Sequence, residues 1–81
     1  MTLLNDSAVD TLAKCIRTAR LIGGLKQDDL ARAVGVARST VNEWEHGRSE
    51  PSASKMFAIA RATGQSLDWF AASTADHRSE G

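Results

Sequence analysis

An all-α domain of five helices is the fold class that this sequence predicts, and three observations carry the prediction. Ala, Leu and Arg, all good helix formers, are plentiful, while aromatic residues are few and runs of β-branched residues are absent. Apolar residues recur at helical spacing in successive segments. Glycines and the one proline fall between those segments, where they punctuate the chain. At 81 residues the chain holds one small domain, and domains this short bury only about 60% of the surface of the unfolded chain, so the core must be simple.

The first helix is expected from Ser7, whose hydroxyl suits an N-cap with Asp10 in the positive first turn, to about Ile22. Val9, Leu12, Ile16 and Ala19 form its apolar stripe, and Gly23 and Gly24 end it. The second helix begins near Gln27, with Asp28 and Asp29 in its first turn, and stops at Gly35. The third spans roughly Arg38 to Glu45. Gly47 and Pro51 forbid continuous helix through the next loop, and Ser52 then caps a fourth helix whose stripe is Met56, Phe57, Ile59 and Ala60, closed by Gly64. Ser66 caps a short fifth helix containing Leu67, Trp69 and Phe70. From Ala71 to Gly81 no pattern could bury anything, so residues 1–70 are read as the domain and 71–81 as a polar tail or linker.

Residues 27–45 dominate the functional reading. Leu30, Ala31 and Val34 share one face of the second helix, Val41 and Trp44 share one face of the third, and Val36 plugs the turn between them. With those groups buried, Arg38, Ser39, Asn42 and Glu43 point outward. Arg and Asn on one exposed helical face supply the hydrogen-bonding groups that base edges in a DNA groove demand.

Composition weighs against that reading, because ten basic and ten acidic residues leave a formal net charge of zero. Position restores it. Lys14, Arg17, Arg20, Lys26, Arg38, Arg48 and Lys55 lie before or around the proposed reading surface, whereas Asp76 and Glu80 sit in the tail. A local basic face still attracts phosphate, with weaker long-range steering. The single cysteine, Cys15, cannot form an internal disulfide and is read as a small core filler. His46 and His77 have no matching ligand or acid/base partners, so no metal, cofactor or catalytic residue is expected and the chain is not read as an enzyme. No apolar run approaches a membrane span and the N-terminus lacks the regions of a secretory signal, so the expected location is the cytoplasm.

Taken together, Gln27, Leu30, Ala31, Gly35, Val36, Val41, Trp44, Glu45, Gly47, Pro51, Ile59, Ala60, Gly64 and the run Leu67, Asp68, Trp69, Phe70 resemble the phage repressor, Cro and Xre helix-turn-helix family over roughly Leu12 to Phe70. The resemblance implies the five-helix, lambda-repressor-like bundle. It implies that Gln27 bonds a DNA phosphate from the start of the second helix, where backbone N–H groups also favour an anion. It places base contacts at Arg38, Ser39, Asn42 and Glu43, and turns Thr40, His46 and Arg48 toward the adjoining backbone. Arg38 can fork onto guanine O6 and N7, Asn42 can pair with adenine, and Glu43 can accept from cytosine or hold Arg38. It also pairs Arg20 with Glu45 as a partly buried tie between the first and third helices. The chain departs from the family at three positions: Lys26 and Ala37 stand where Ser or Thr is usual, and Thr63 where Leu is common. Losing a hydroxyl cap typically costs about 1 kcal/mol. Lys26, a cation at a positive helix end, makes sense chiefly beside a phosphate.

The aromatic residues Trp44, Trp69 and Phe57 are read as core, since their spacing agrees with the stripes. The expected function is a sequence-specific regulator of double-stranded DNA, acting as a repressor and binding an inverted-repeat operator as a homodimer through Leu67, Phe70 and Ala71. The competing expectation is a protein-interaction module or antitoxin that keeps the fold and binds a protein partner, supported by the zero net charge with Asp28, Asp29 and Glu43. The polar tail leaves room for a further C-terminal domain.

Overall fold

The computed structural model describes the backbone of residues 3–79 and the side chains of residues 11–74. It contains five helices: α1 Leu3–Ile22, α2 Gln27–Val34, α3 Arg38–Glu45, α4 Ala53–Thr63 and α5 Leu67–Ser79. There is no strand among the described residues. The longest principal dimension is 36 Å; α1 packs on α5, α3 and α4, and α2 packs on α3 and α4.

Local signals fix the short helices. α2 begins after Lys26, whose backbone N–H donates to Asp29 Oδ2 at 2.9 Å. This is the half of a capping box that an ammonium side chain permits, since Lys26 has no oxygen to offer in return. Gly35 ends the helix at φ +83°, with its N–H on the Ala31 carbonyl at 2.8 Å, and a side chain there would meet the left-handed penalty. Ala37, the N-cap of α3, offers no side-chain cap, so the first N–H groups of the helix stay open to water or to a ligand. Ser52 Oγ accepts from the Lys55 N–H to start α4, and Ser66 Oγ accepts from the Trp69 N–H at 3.0 Å to start α5.

Ile16, Leu30, Val41 and Ile59, one from each of α1 to α4, are fully buried at the centre, with Ala19, Val34, Trp44, Ala60 and Phe70 around them. Truncating a side chain of this kind to alanine typically costs about 2–5 kcal/mol, a large part of what so small a domain has. α1 and α4 approach closely where Gly23 meets the end of α4: a Cβ on Gly23 would lie 3.1 Å from the Thr63 carbonyl oxygen. Thr63 is buried there and donates its hydroxyl to the Ile59 carbonyl at 2.8 Å, which meets the polar demand of a position where leucine would have brought only bulk.

Four expectations are corrected. The backbone is helical from Leu3, so Ser7 does not stand at the start of α1; the side chains of Ser7, Val9 and Asp10, like Asp76, His77 and Glu80, lie outside the described residues. α5 continues through the supposed tail to Ser79. Phe57 is 53% exposed, not core. Met56, Ile59, Ala60 and Thr63 define the inward arc of α4, and at about 100° per residue Phe57 sits about 60° beyond its edge at Ala60. Finally, Phe70 is the buried member of its pair at 4% exposed, while Trp69 is half-buried and meets it edge-on at 4.9 Å between ring centres. Phe70 therefore cannot serve in a dimer contact, whereas Leu67 and Ala71, one turn apart, are exposed.

Candidate nucleic-acid interface

The α2–α3 unit has a dry underside and an open upper face. Beneath it, Arg20 of α1 grips Glu45 at the end of α3 through two bonds, Nε to Oε2 at 2.7 Å and Nη2 to Oε1 at 3.0 Å. Its Nη1 donates to the Leu25 carbonyl at 2.9 Å. The planar guanidinium matches the carboxylate fork, and the side chains are only 11% and 2% exposed. Gln27 Nε2 adds a third donor to Glu45, on Oε1 at 3.1 Å. One carboxylate thus ties α1, the first residue of α2 and the last of α3, which fixes the angle at which α3 stands on the domain.

On the upper face Gln27, Arg38, Ser39 and Asn42 line an open cleft of about 260 Å³ at the joined N-termini of α2 and α3. Arg38, Ser39 and Glu43 are exposed and Asn42 is half-buried. The first residues of α2 and α3 line it together, which brings the positive ends of two helix dipoles beside one opening. The Glu45 bond settles the orientation of the Gln27 amide, because a carboxylate only accepts: the nitrogen points to Glu45, leaving its second N–H for another acceptor.

The remaining proposed contacts sit around this cleft on different terms. Lys26 is exposed beside Gln27, and Thr40 is half-buried in the first turn of α3. Glu43 lies one turn beyond Ser39 and does not line the cleft. His46 turns back to close α3, its Nδ1 on the Asn42 carbonyl at 2.8 Å, so only Nε2 is left to face outward. Arg48 is exposed in the loop that follows, with its backbone N–H on the Glu43 carbonyl. Lys55 is not part of the cleft; its Nζ approaches the Val34 carbonyl at 3.4 Å, at the C-terminus of α2, where a cation offsets the dipole. Two contacts had no local signal in the sequence: the Gln27–Glu45 bond spans 18 positions, and Asp28 Oδ1 lies 3.9 Å from Arg38 Nε across the turn.

Among the described residues no group of three or more His, Cys, Asp or Glu could hold a metal ion, and no helix is long and apolar enough to cross a membrane. Cys15 is buried against α5, where burial pushes its thiol pKa upward and a hydrogen bond with Ser73 partly opposes the shift.

This geometry coincides with known proteins. The model of the helix-turn-helix family matches residues 16–70. Over 65 residues the chain is 35% identical to an uncharacterized transcriptional regulator in the ATPase CF(0) region of Rhodospirillum rubrum, covering 80% of this chain and 57% of that protein. It is 46% identical over 50 residues to an HTH-type transcriptional regulator of Methanothermobacter thermautotrophicus, covering 62% of this chain and 72% of that one. A third such regulator, from Haemophilus influenzae, is 42% identical over 43 residues, 53% of this chain. The chain thus spans 18% of the Haemophilus protein and little over half of the Rhodospirillum protein. The crystal structure of the clp gene regulator ClgR from Corynebacterium glutamicum superposes with a TM-score of 0.80 at 26% identity, covering 86% of this chain and 74% of that one.

Proposed function

The chain belongs to the helix-turn-helix family of DNA-binding transcriptional regulators, of the phage-repressor and Xre type, and from that membership we propose that it is a sequence-specific repressor that lays α3 in the major groove of an inverted-repeat operator. The observation that carries the reading is the cleft at the two helix starts: Arg38, Ser39 and Asn42 stand on one face of α3 beside Gln27, and none of the four belongs to the hydrophobic core. Arg38 and Asn42 read guanine and adenine, with Ser39 and Glu43 on neighbouring base edges. Gln27 gives its free N–H to a phosphate, and Lys26, Thr40, Arg48 and the outward nitrogen of His46 hold the flanking backbone. The Arg20–Glu45 pair stays beneath, as the support that sets the angle of α3.

A single α3 reaches too few base pairs for strong selectivity, so two copies acting on half-sites one helical turn apart complete the reading. Leu67 and Ala71 are the surface groups of α5 suited to that pairing, with Phe57 a further exposed apolar side chain on α4. The second reading, a module that binds another protein, has the same exposed Leu67 and Phe57 and the zero net charge in its favour.

Fluorescence anisotropy with a duplex selected from a random pool tests the proposal. Binding should weaken with salt at a log-log slope of about −0.9 per neutralised phosphate. Arg38→Ala should cost about 1–3 kcal/mol on the selected duplex and relax one guanine preference, while Arg48→Ala weakens all duplexes alike. No duplex binding by the folded protein would leave the protein-binding module as the surviving reading.

A further inference from the structure

Two carboxylates stand in the first turn of α2, and one of them caps it. Asp29 caps it through the Lys26 N–H and lies 3.7 Å from Arg32 on the next turn. Asp28 turns the other way, toward α3, with Oδ1 3.9 Å from Arg38 Nε and the two side chains 62% and 68% exposed. The separation is longer than a hydrogen bond and both groups are in water, so the pair is loose and does little for the fold. Near a DNA-facing cleft it has a different weight. A carboxylate there meets phosphate repulsion that a protein of zero net charge has no surplus of cations to offset. The atoms in contact also matter. Asp28 faces the Nε side of the guanidinium, leaving Nη1 and Nη2, the edge that forks onto guanine O6 and N7.

We propose that Asp28 is a specificity-determining positioning residue: its charge beside Nε biases Arg38 to present its Nη edge to a guanine, and the same charge opposes docking where no guanine is present. The inference rests on the DNA-reading role of α3. On a matching duplex Arg38 forks onto the base while its Nε side stays beside Asp28. On a mismatched duplex Arg38 swings to a phosphate, and Asp28 is left facing the backbone without a partner. A repulsive group that penalises the wrong complex more than the right one raises selectivity at the expense of total affinity.

The test uses the full chain as wild type, Asp28→Asn, Arg38→Ala and the double variant. Each is measured at fixed salt on a duplex selected by the wild type and on random duplex DNA. Asp28→Asn should bind random DNA about three- to fivefold tighter, the size an exposed charge pair commands, and the selected duplex no tighter. The ratio of the two affinities falls accordingly. In the Arg38→Ala background the Asp28 change should leave that ratio unmoved, and the melting temperature should not shift in Asp28→Asn. Equal tightening on both duplexes would make Asp28 a plain repulsive charge and overturn the proposal. So would a lowered melting temperature with an unchanged ratio. A wild type that discriminates well while Asp28→Asn behaves identically overturns this inference alone, whereas a wild type that binds neither duplex overturns the DNA-binding reading beneath it.

Discussion

Two arginine–carboxylate pairs lie on opposite sides of the same helix-turn-helix unit. Arg20 and Glu45 meet at 2.7 Å with side chains 11% and 2% exposed, whereas Arg38 and Asp28 stand 3.9 Å apart with both side chains mostly in water. The chemistry is shared and the environment is not. In the dry site, desolvation makes each charge depend on its partner, so the pair locks three elements in one arrangement. In the wet site, water screens the attraction and either partner can exchange for another ligand. Burial thus separates an arginine that builds the domain from one that is available to a partner.

The sharpest way to break this contrast is to remove one carboxylate from each pair. Glu45→Ala leaves the Arg20 guanidinium buried without its counter-charge and frees Gln27, and should destabilise the domain by about 3–5 kcal/mol. Urea unfolding followed by Trp44 and Trp69 fluorescence measures it. The same experiment on Asp28→Asn should show a change within about 0.5 kcal/mol, as expected of an exposed group outside any cap. Similar losses in the two variants would show that exposure does not divide the roles of the pairs.

Gln27 connects the two sides, since its Nε2 donates to the buried Glu45 while its side chain lines the cleft with Arg38. Gln27→Ala should cost about 1.5–3 kcal/mol of stability, the value of a hydrogen bond to a charged group, and should also weaken DNA binding. In a Glu45→Gln background the DNA-binding cost of Gln27→Ala should shrink, because the amide is then no longer held in one orientation. Equal DNA-binding costs in both backgrounds would mean that the underside does not position the upper face. A double-mutant cycle in duplex affinity, read beside melts of each variant, supplies both numbers.

How far this division could be read in the sequence follows the range of the interactions. The limits of α2, α3 and α4 were legible because they depend on neighbours: Gly35, Ser52 and Gly64 act within a turn of their own position. The buried faces of α2 and α3 were legible for the same reason. α5 was cut short because its second half has no apolar periodicity, yet Ser73 and Thr74 return their hydroxyls to the Trp69 and Phe70 carbonyls, so small polar residues stay compatible with helix. The inward turn of Phe70 in place of Trp69 depends on how α5 lies against α1, which no local pattern encodes. The Arg20–Glu45 pair came from family resemblance, while the Gln27 and Asp28 contacts join residues far apart in sequence.

The smallest effect concerns a third polar contact, in the α1–α5 seam remote from the cleft. Burial holds the Cys15 thiol above its ordinary value of 9.0, with the Ser73 hydrogen bond working against the shift. The unfolded chain therefore loses this proton at lower pH than the folded one. Well below pH 9 the thiol is protonated in both states and its contribution is intact; as pH rises through that value, the unfolded state binds fewer protons and stability falls. The chain has no tyrosine to titrate in the same range. Subtracting the pH profile of Cys15→Ala from that of the wild type isolates the thiol. The difference should be flat at neutral pH and decline as the pH rises through the ordinary thiol range. A wild type and Cys15→Ala with parallel profiles would mean that α5 does not exclude water from the seam, and that the domain has one dry polar site, beneath α3, and not two.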